Sequence, residues 1–144
     1  MRFIDLADGG RQLAALLAPT LAPDTLVVAI GSGGLVTGRA VASALGISVT
    51  PLATTRTEDG VEVEVALEVT GREIVVVDDG VETGTAARAA AVALRAAGAR
   101  RLVLAVPVCP RDVEADLRGL FDDVVAVQRP LVRRSLRWHY DTFA

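Results

Sequence analysis

The chain has 144 residues, 51% of them hydrophobic and 23% charged, which suits one folded domain with its own core and excludes a disordered segment. The net charge of −3 provides no overall basic field, so nucleic acid is not expected as a partner. The single cysteine, Cys109, excludes a disulfide framework and a cysteine-based zinc site, and we expect it to be a buried spectator. All 15 cationic residues are arginine, which excludes lysine-dependent phosphate binding and Schiff-base chemistry.

Membrane insertion and secretion are not expected. No apolar run approaches the ~20 residues that a membrane-spanning helix needs. The segment Met1–Asp5 carries an acid where a signal peptide would be apolar. We therefore expect a cytoplasmic protein without membrane contact.

Taken in chain order, the predicted elements alternate short apolar strands with alanine-rich helices. Acidic and apolar residues alternate with period two over 61–70, after a turn at 58–60, which predicts a β-hairpin within 53–70. The predicted strands are 25–30, 47–52, 74–77, 102–106 and 124–127, and the predicted helices are 8–18, 35–45 (closed by Gly46), 83–97 and 111–117.

This alternation predicts the fold class. Apolar strands separated by helices are typical of a parallel sheet that is covered on both faces. The simplest arrangement is an α/β fold with a doubly wound, mainly parallel five-stranded sheet, flanking helices and the short β-hairpin as an insertion. We expect residues 1–144 to form one domain.

Two loops stand out as candidates for chemistry. Gly31-Ser32-Gly33-Gly34 follows the first predicted strand, and residues 78–85 follow the third parallel strand. Ligands of open α/β sheets bind at the carboxyl ends of the strands, where the strand order reverses. If these two strands are neighbours, the two loops meet at one site.

The loop 78–85 combines groups that suit a sugar phosphate. Asp78 and Asp79 stand at the strand end, and Thr83-Gly84-Thr85 opens a helix. Unpaired amides and the helix dipole at such a start favour phosphate, and threonine hydroxyls add donors. Two acids beside a phosphate site are explained if they bind sugar hydroxyls or a metal. The residues therefore predict phosphate at the helix start and a ribose diol at the acids.

Residues 74–85, Ile-Val-Val-Val-Asp-Asp-Gly-Val-Glu-Thr-Gly-Thr, resemble the phosphoribosyl-diphosphate motif of type I phosphoribosyltransferases. Residues 3–14 and 135–143 are also similar to the ends of a bacterial group within that family. The resemblance implies binding of phosphoribosyl diphosphate with Mg²⁺, transfer of the phosphoribosyl group to a nitrogenous base and release of pyrophosphate.

The resemblance also implies roles for individual residues. Asp78 and Asp79 would hold the ribose hydroxyls and contact the metal, in part through water. Glu82 falls where some purine-salvage members carry an acidic general base. The residues that would bind the 5′-phosphate and the pyrophosphate are Gly80, Thr83, Gly84, Thr85, Ala86, Ala87, Gly31, Ser32, Gly33, Gly34 and Arg56.

Three departures from the family pattern leave two functions open. Ser32 stands where many relatives have a basic residue, Ala86 stands where many have a second hydroxyl, and the hairpin replaces the longer segment that covers the base. The first function is a phosphoribosyltransferase whose site a homodimer partner helps to cover. The second is a non-catalytic sensor or regulator that binds a nucleotide or phosphoribosyl diphosphate.

The sequence supports other interpretations of these motifs less well. A receiver domain would place its acid pair after the first strand and would need a lysine, and Val36 breaks a dinucleotide-binding glycine pattern. In the tail, residues 130–144, the aromatic cluster 138–140 is expected either to lock the tail onto the N-terminal segment or to stack on a base. Its arginines form either a solvated face or a contact with RNA or an anionic ligand, and His139 receives no catalytic role.

Overall fold

The computed structural model describes residues 2–144, with Thr20 in its backbone alone. Its centre is a six-stranded sheet in which five strands run parallel and only the edge strand β3 runs antiparallel, to β2. The strands are β1 (Leu26–Ile30), β2 (Val49–Thr57), β3 (Gly60–Glu64), β4 (Glu73–Val77), β5 (Arg101–Val108) and β6 (Asp123–Gln128), in the order β3-β2-β1-β4-β5-β6. This confirms the predicted doubly wound α/β class, and β1 and β4 are neighbours as the site prediction required.

Within residues 2–144, four α-helices flank the sheet: α1 (Leu6–Leu17), α2 (Gly31–Leu45), α3 (Thr85–Ala96) and α4 (Arg111–Leu117). The side chain of Asp5 caps α1 by accepting a hydrogen bond from the Asp8 amide at 2.8 Å, so the helix begins two residues earlier than predicted. Helix α2 already begins at Gly31, so the expected loop 31–34 is the first turn of a helix. Helix α3 begins at Thr85 rather than at residue 83, because Gly84 adopts the left-handed φ of +85°.

The hairpin is present, but its second strand is shorter than predicted. Only residues 53–57 of β2 extend beyond β1 to pair with β3, from Ala53 opposite Glu64 to Thr57 opposite Gly60. After Glu64 the chain leaves the ladder, and residues 49–52 of β2 pair with β1 alone. Val65 and Leu67 instead pack as half-buried side chains against the core. The alternation of apolar and polar residues over 61–70 therefore comes from an extended segment with one buried side. Only its first part, up to Glu64, is a strand.

The core lies on both faces of the sheet, as expected for parallel strands. Strand β4 is completely buried: Ile74 and Val76 point into the cluster under α3 and α4, and Val75 and Val77 point into the cluster under α1 and α2. Burying a side chain of this size contributes about 1.5–3 kcal/mol each. The acid pair thus follows a strand in which every residue is buried.

The tail closes onto the start of the chain. Phe3 and Tyr140 form a parallel bridge, and the amides of Asp141 and Thr142 donate to the carbonyls of Phe3 and Ile4. Tyr140 and His139 are buried, so the locking role predicted for the aromatic cluster is confirmed for them, whereas Trp138 is 45% exposed.

Two further expectations bear on the domain as a whole. Cys109 is buried as predicted, and burial raises the pKa of its thiol to about 11, which keeps it protonated and unreactive. No helix within residues 2–144 combines the length and apolar character needed to traverse a bilayer.

Candidate functional site

The two candidate loops meet at one cavity of about 530 Å³ at the carboxyl edge of the sheet. Strands β1 and β4 pair in parallel with Ala29 opposite Val77, so the segments after the two strands emerge side by side. The first turn of α2 is packed against the acid pair: a Cβ at Gly33 would lie 2.3 Å from Oδ2 of Asp79, and one at Gly34 would lie 3.1 Å from Oδ1 of Asp78. Glycine is required here because the backbone approaches the carboxylates this closely.

The structure brings together almost all of the predicted site residues. Gly34 alone of them does not line the cavity, because it is buried behind Asp78. The lining residues are Ile30, Gly31, Ser32, Gly33, Thr54, Arg56, Val61, Asp78, Asp79, Gly80, Val81, Glu82, Thr83, Gly84, Thr85, Ala86, Ala87 and Leu136.

Five lining residues were not predicted: Ile30, Thr54, Val61, Val81 and Leu136. Ile30 directly precedes the predicted loop 31–34, and Val81 lies within the predicted loop 78–85. The positions of Thr54 and Val61 follow from the hairpin once β2 is known to extend past β1. No sequence signal indicated Leu136, which reaches the cavity from the far end of the chain.

The acid pair is partly buried at the floor of the cavity. The Asp79 amide donates a hydrogen bond to Oδ1 of Asp78 at 2.7 Å, which fixes that carboxylate. Burial, and next the neighbouring Asp79, raise the pKa of Asp78 well above its ordinary value, and the charge of Arg56 opposes this shift. Burial also raises the pKa of Asp79, with a further contribution from Glu82. The pair therefore favours ligands that bring hydroxyl donors or a cation.

The start of α3 lies beside the acids in the same cavity. The first amides of an α-helix have no partner within the helix, so those of Thr85, Ala86 and Ala87 are available to a ligand. The hydroxyls of Thr83 and Thr85 lie 3.2 Å apart at the same cavity wall. Nη1 of Arg88 donates to the Thr83 carbonyl oxygen at 2.7 Å, which fixes the loop from behind.

The hairpin and the tail form the other walls. Arg56 and Thr54 project from β2, and Arg56 is the one cation among the described lining residues. On the tail side, Oε1 of Glu82 accepts a hydrogen bond from the Leu136 amide at 2.9 Å. The Tyr140 hydroxyl donates to the carbonyl oxygen of Asp79.

The carboxylates of the cavity suit a metal ion that binds together with a phosphate ligand better than one held by the protein alone. Among residues 2–144, no group of three or more histidine, cysteine or carboxylate side chains could enclose an ion. Mg²⁺ bound with phosphates keeps several waters and uses only one or two protein carboxylates. Asp78 and Asp79 supply that number. Burial and then a neighbouring carboxylate raise the pKa of each, and a bound cation would offset that uncompensated negative charge.

Most of the chain matches a known protein family. The profile of the phosphoribosyl transferase domain family matches residues 6–130, which includes both loops and all six strands. The chain belongs to this family.

One curated relative is Rv0571c of Mycobacterium tuberculosis (strain H37Rv), which is provisionally named a phosphoribosyl transferase. It is 42% identical over 77 residues, which is 54% of this chain and 17% of that protein. The chain therefore spans a small part of the length of the curated relatives that it matches.

Solved structures share the fold. TT1426 from Thermus thermophilus superimposes with a TM-score of 0.89 at 24% identity, covering 100% of this chain and 92% of that chain. The adenine phosphoribosyltransferase of Rhodothermus marinus gives a TM-score of 0.63 at 22% identity, covering 82% and 77%. At these identities the two neighbours show a shared fold.

Proposed function

We propose that the chain binds phosphoribosyl diphosphate in this cavity and transfers the phosphoribosyl group to a nitrogenous base, with release of pyrophosphate. One observation carries the proposal: a carboxylate pair and the open start of helix α3 line the same cavity. Ribose hydroxyls need acceptors and a 5′-phosphate needs amide donors, and here the two sets lie next to each other.

The side chains of this chain would act mainly by positioning and charge. Asp78 and Asp79 accept hydrogen bonds from the ribose hydroxyls, and the amides of 85–87 with the hydroxyls of Thr83 and Thr85 hold the 5′-phosphate. The amides of residues 31–33 in the first α2 turn and the guanidinium of Arg56 face the diphosphate. Holding the sugar at both ends orients its anomeric carbon toward the acceptor, which is the largest contribution such a site can make.

In the reaction, the bond from the anomeric carbon to a diphosphate oxygen breaks and a bond to a base nitrogen forms. The nitrogen releases its proton, and the resemblance to the family implies Glu82 as an acceptor for it. A Mg²⁺ bound with the diphosphate would be held by Asp78 or Asp79, in part through water, and would neutralise the charge of the leaving group.

A non-catalytic sensor of the same ligand is the second candidate. The short hairpin favours this candidate, because it covers only one side of the cavity. Its two strands are joined by just Glu58 and Asp59. A reactive diphosphate ester needs exclusion of water, so turnover would require another cover, for which a homodimer partner remains a prediction. For either candidate we propose a cytoplasmic location, as expected from the sequence.

Titration calorimetry with phosphoribosyl diphosphate in the presence of Mg²⁺ tests binding, and release of pyrophosphate over a panel of bases tests turnover. The double variant T83A/T85A should weaken binding about tenfold or more, because two hydroxyl donors to an anion are lost. The matched control is T57A, which removes an exposed hydroxyl of β2 outside the cavity. Absence of binding by the wild-type chain would contradict both candidates, and binding without pyrophosphate release would favour the sensor.

A further inference from the structure

The tail, residues 130–144, is attached directly to the loop that carries the acid pair. Leu136 is bound through its amide to Glu82 at 2.9 Å, and Tyr140 through its hydroxyl to the carbonyl of Asp79. The amides of residues 141 and 142 tie the same segment to the N-terminus. The segment between these attachments is thereby held over the site.

Leu136 is packed closely on the acid loop. A Cβ at Gly80 would lie 2.4 Å from Cδ2 of Leu136, so the leucine side chain occupies the space that a larger residue at position 80 would fill. Gly80 has a φ of +149°, which side-chain-bearing residues rarely adopt. Leu136 is half-buried and lines the cavity, so part of its side chain faces a ligand.

We propose that Glu82 is a positioning residue that holds Leu136 as an apolar wall of the cavity, so that the tail selects which group on the sugar phosphate is accepted. The inference rests on the proposed function, because it assumes a sugar phosphate in the cavity. It gives Glu82 a role that differs from proton transfer, since one of its carboxylate oxygens is engaged by the tail.

The position of this wall can be inferred from the ligand groups that the other residues would bind. The phosphate belongs to the α3 start and the sugar hydroxyls to the acids, which leaves the substituent on the anomeric carbon for the remaining walls. Ile30 and Val81 are almost completely buried, so their contact with a ligand is small. Val61 on the hairpin and Leu136 on the tail are the half-buried branched aliphatic side chains of the lining.

An aliphatic wall of this kind selects for a flat, weakly hydrated ring, because only such a group gains from losing water against it. A hydrated substituent such as a hydroxyl would gain nothing from the contact. The ring of a nucleobase is therefore the chemical class that the tail should favour.

Calorimetry with two ligands tests the wall. The variant L136A should bind a nucleoside 5′-monophosphate about tenfold more weakly than the wild-type chain, because a leucine side chain loses contact with the ring, and should bind ribose 5-phosphate with unchanged affinity. L136M keeps the apolar volume and should retain affinity for both ligands. The matched control is L131A, which changes a 77% exposed leucine of the same tail outside the cavity.

The role of Glu82 is tested by a second pair of variants. E82Q keeps an oxygen that accepts the Leu136 amide, whereas E82A removes it. Amide exchange at Leu136 should be accelerated in E82A and near wild type in E82Q, and nucleotide affinity should fall only in E82A. If E82Q loses nucleotide affinity while Leu136 stays protected, the carboxylate charge acts by itself and the positioning role is wrong.

Failure of this inference differs from failure of the proposed function. If the wild-type chain binds neither ligand, the proposed function is contradicted, and this inference with it. If ribose 5-phosphate binds and a base adds no affinity, or if L136A weakens both ligands equally, only the tail's selective role is overturned. Thermal melting of each variant separates loss of the wall from loss of the fold.

Discussion

The Tyr140 hydroxyl donates a hydrogen bond to the carbonyl oxygen of Asp79, a residue 61 positions earlier in the chain. The Tyr140 ring is buried against Phe3, with ring centroids 5.3 Å apart. One side chain thus connects the N-terminal segment, the tail and the acid pair. The backbone of the candidate site is positioned by Tyr140 of the tail as well as by β4.

The variant Y140F tests this connection. It keeps the ring packing but leaves the Asp79 carbonyl without its donor, so the free energy of unfolding should fall by about 1 kcal/mol. Thermal or urea unfolding measures the loss. A second change, Phe143→Leu, alters a ring that also packs on Tyr140, at 5.4 Å between centroids, without touching Asp79. Only Y140F should weaken binding of ribose 5-phosphate, and equal effects of the two changes would contradict a specific role of the hydroxyl.

The double variant D78N/D79N should separate binding from stability. Ribose-phosphate affinity should fall by about 100-fold or more, because two charge-assisted hydrogen bonds are lost. The fold should persist, since both side chains lie beyond the end of β4. Calorimetry and thermal melting give the two quantities, and unchanged affinity would refute the assignment of the acids.

The single variant D78N should change the pH dependence of stability. Because burial raises the pKa of Asp78 in the folded chain, the folded state holds this proton to higher pH than the unfolded state. The carboxyl therefore contributes stability below its ordinary pKa of 3.8 and loses it as the pH rises through the raised value. At neutral pH, D78N should be more stable than the wild-type chain. Above the ordinary pKa of the carboxyl, its free energy of unfolding should depend less on pH. A steeper profile in D78N would show that the carboxylate is stabilised in its charged form.

Gly33→Ala should disturb the acid pair from the side of helix α2. The new Cβ would lie 2.3 Å from Oδ2 of Asp79, so that carboxylate must turn away. Alanine favours a helix over glycine by about 1 kcal/mol, so stability should be retained while affinity for ribose 5-phosphate falls about tenfold. S32A is the control, because Ser32 is an exposed neighbour in the same turn. Loss of affinity in S32A alone would show that the serine hydroxyl matters rather than the position of Asp79.

Acidification should loosen the tail through His139. Its buried Nδ1 has no hydrogen-bond partner within the described part of the chain, and burial, followed by Arg134 and Arg2, lowers its pKa below 6.5. A lowered pKa means that the unfolded chain binds the proton more readily. The stability is therefore complete above pH 6.5 and is lost as the pH falls through the lowered value.

Fluorescence of Trp138, the single tryptophan, reports this change because its ring contacts His139 edge-on at 5.0 Å between centroids. The signal of the wild-type chain should titrate below pH 6.5. The variant H139L removes the titrating group and should show no such step. A step of the same size in H139L would assign the transition to another group.

Much of the fold could be predicted because burial leaves periodic marks in a sequence. A strand covered on both faces is a continuous apolar run, as at 74–77, and helix α4 was predicted at its observed bounds, Arg111–Leu117. The errors lie at element ends, where local geometry decides. Residues 31–34 are predicted as a loop but form the first turn of α2, where the glycines leave room for the carboxylates of Asp78 and Asp79.

The local sequence of the chain determined the two loops, their order after neighbouring strands and their suitability for a sugar phosphate, because strand ends, helix starts and turn residues act over a few positions. Only the tertiary structure decided what faces them. Leu136 and Tyr140 reach the acid loop across 54 and 61 positions, and such contacts leave no periodic pattern in the chain. They arise because the tail pairs with residues 3–4 and is thereby carried across the carboxyl edge of the sheet.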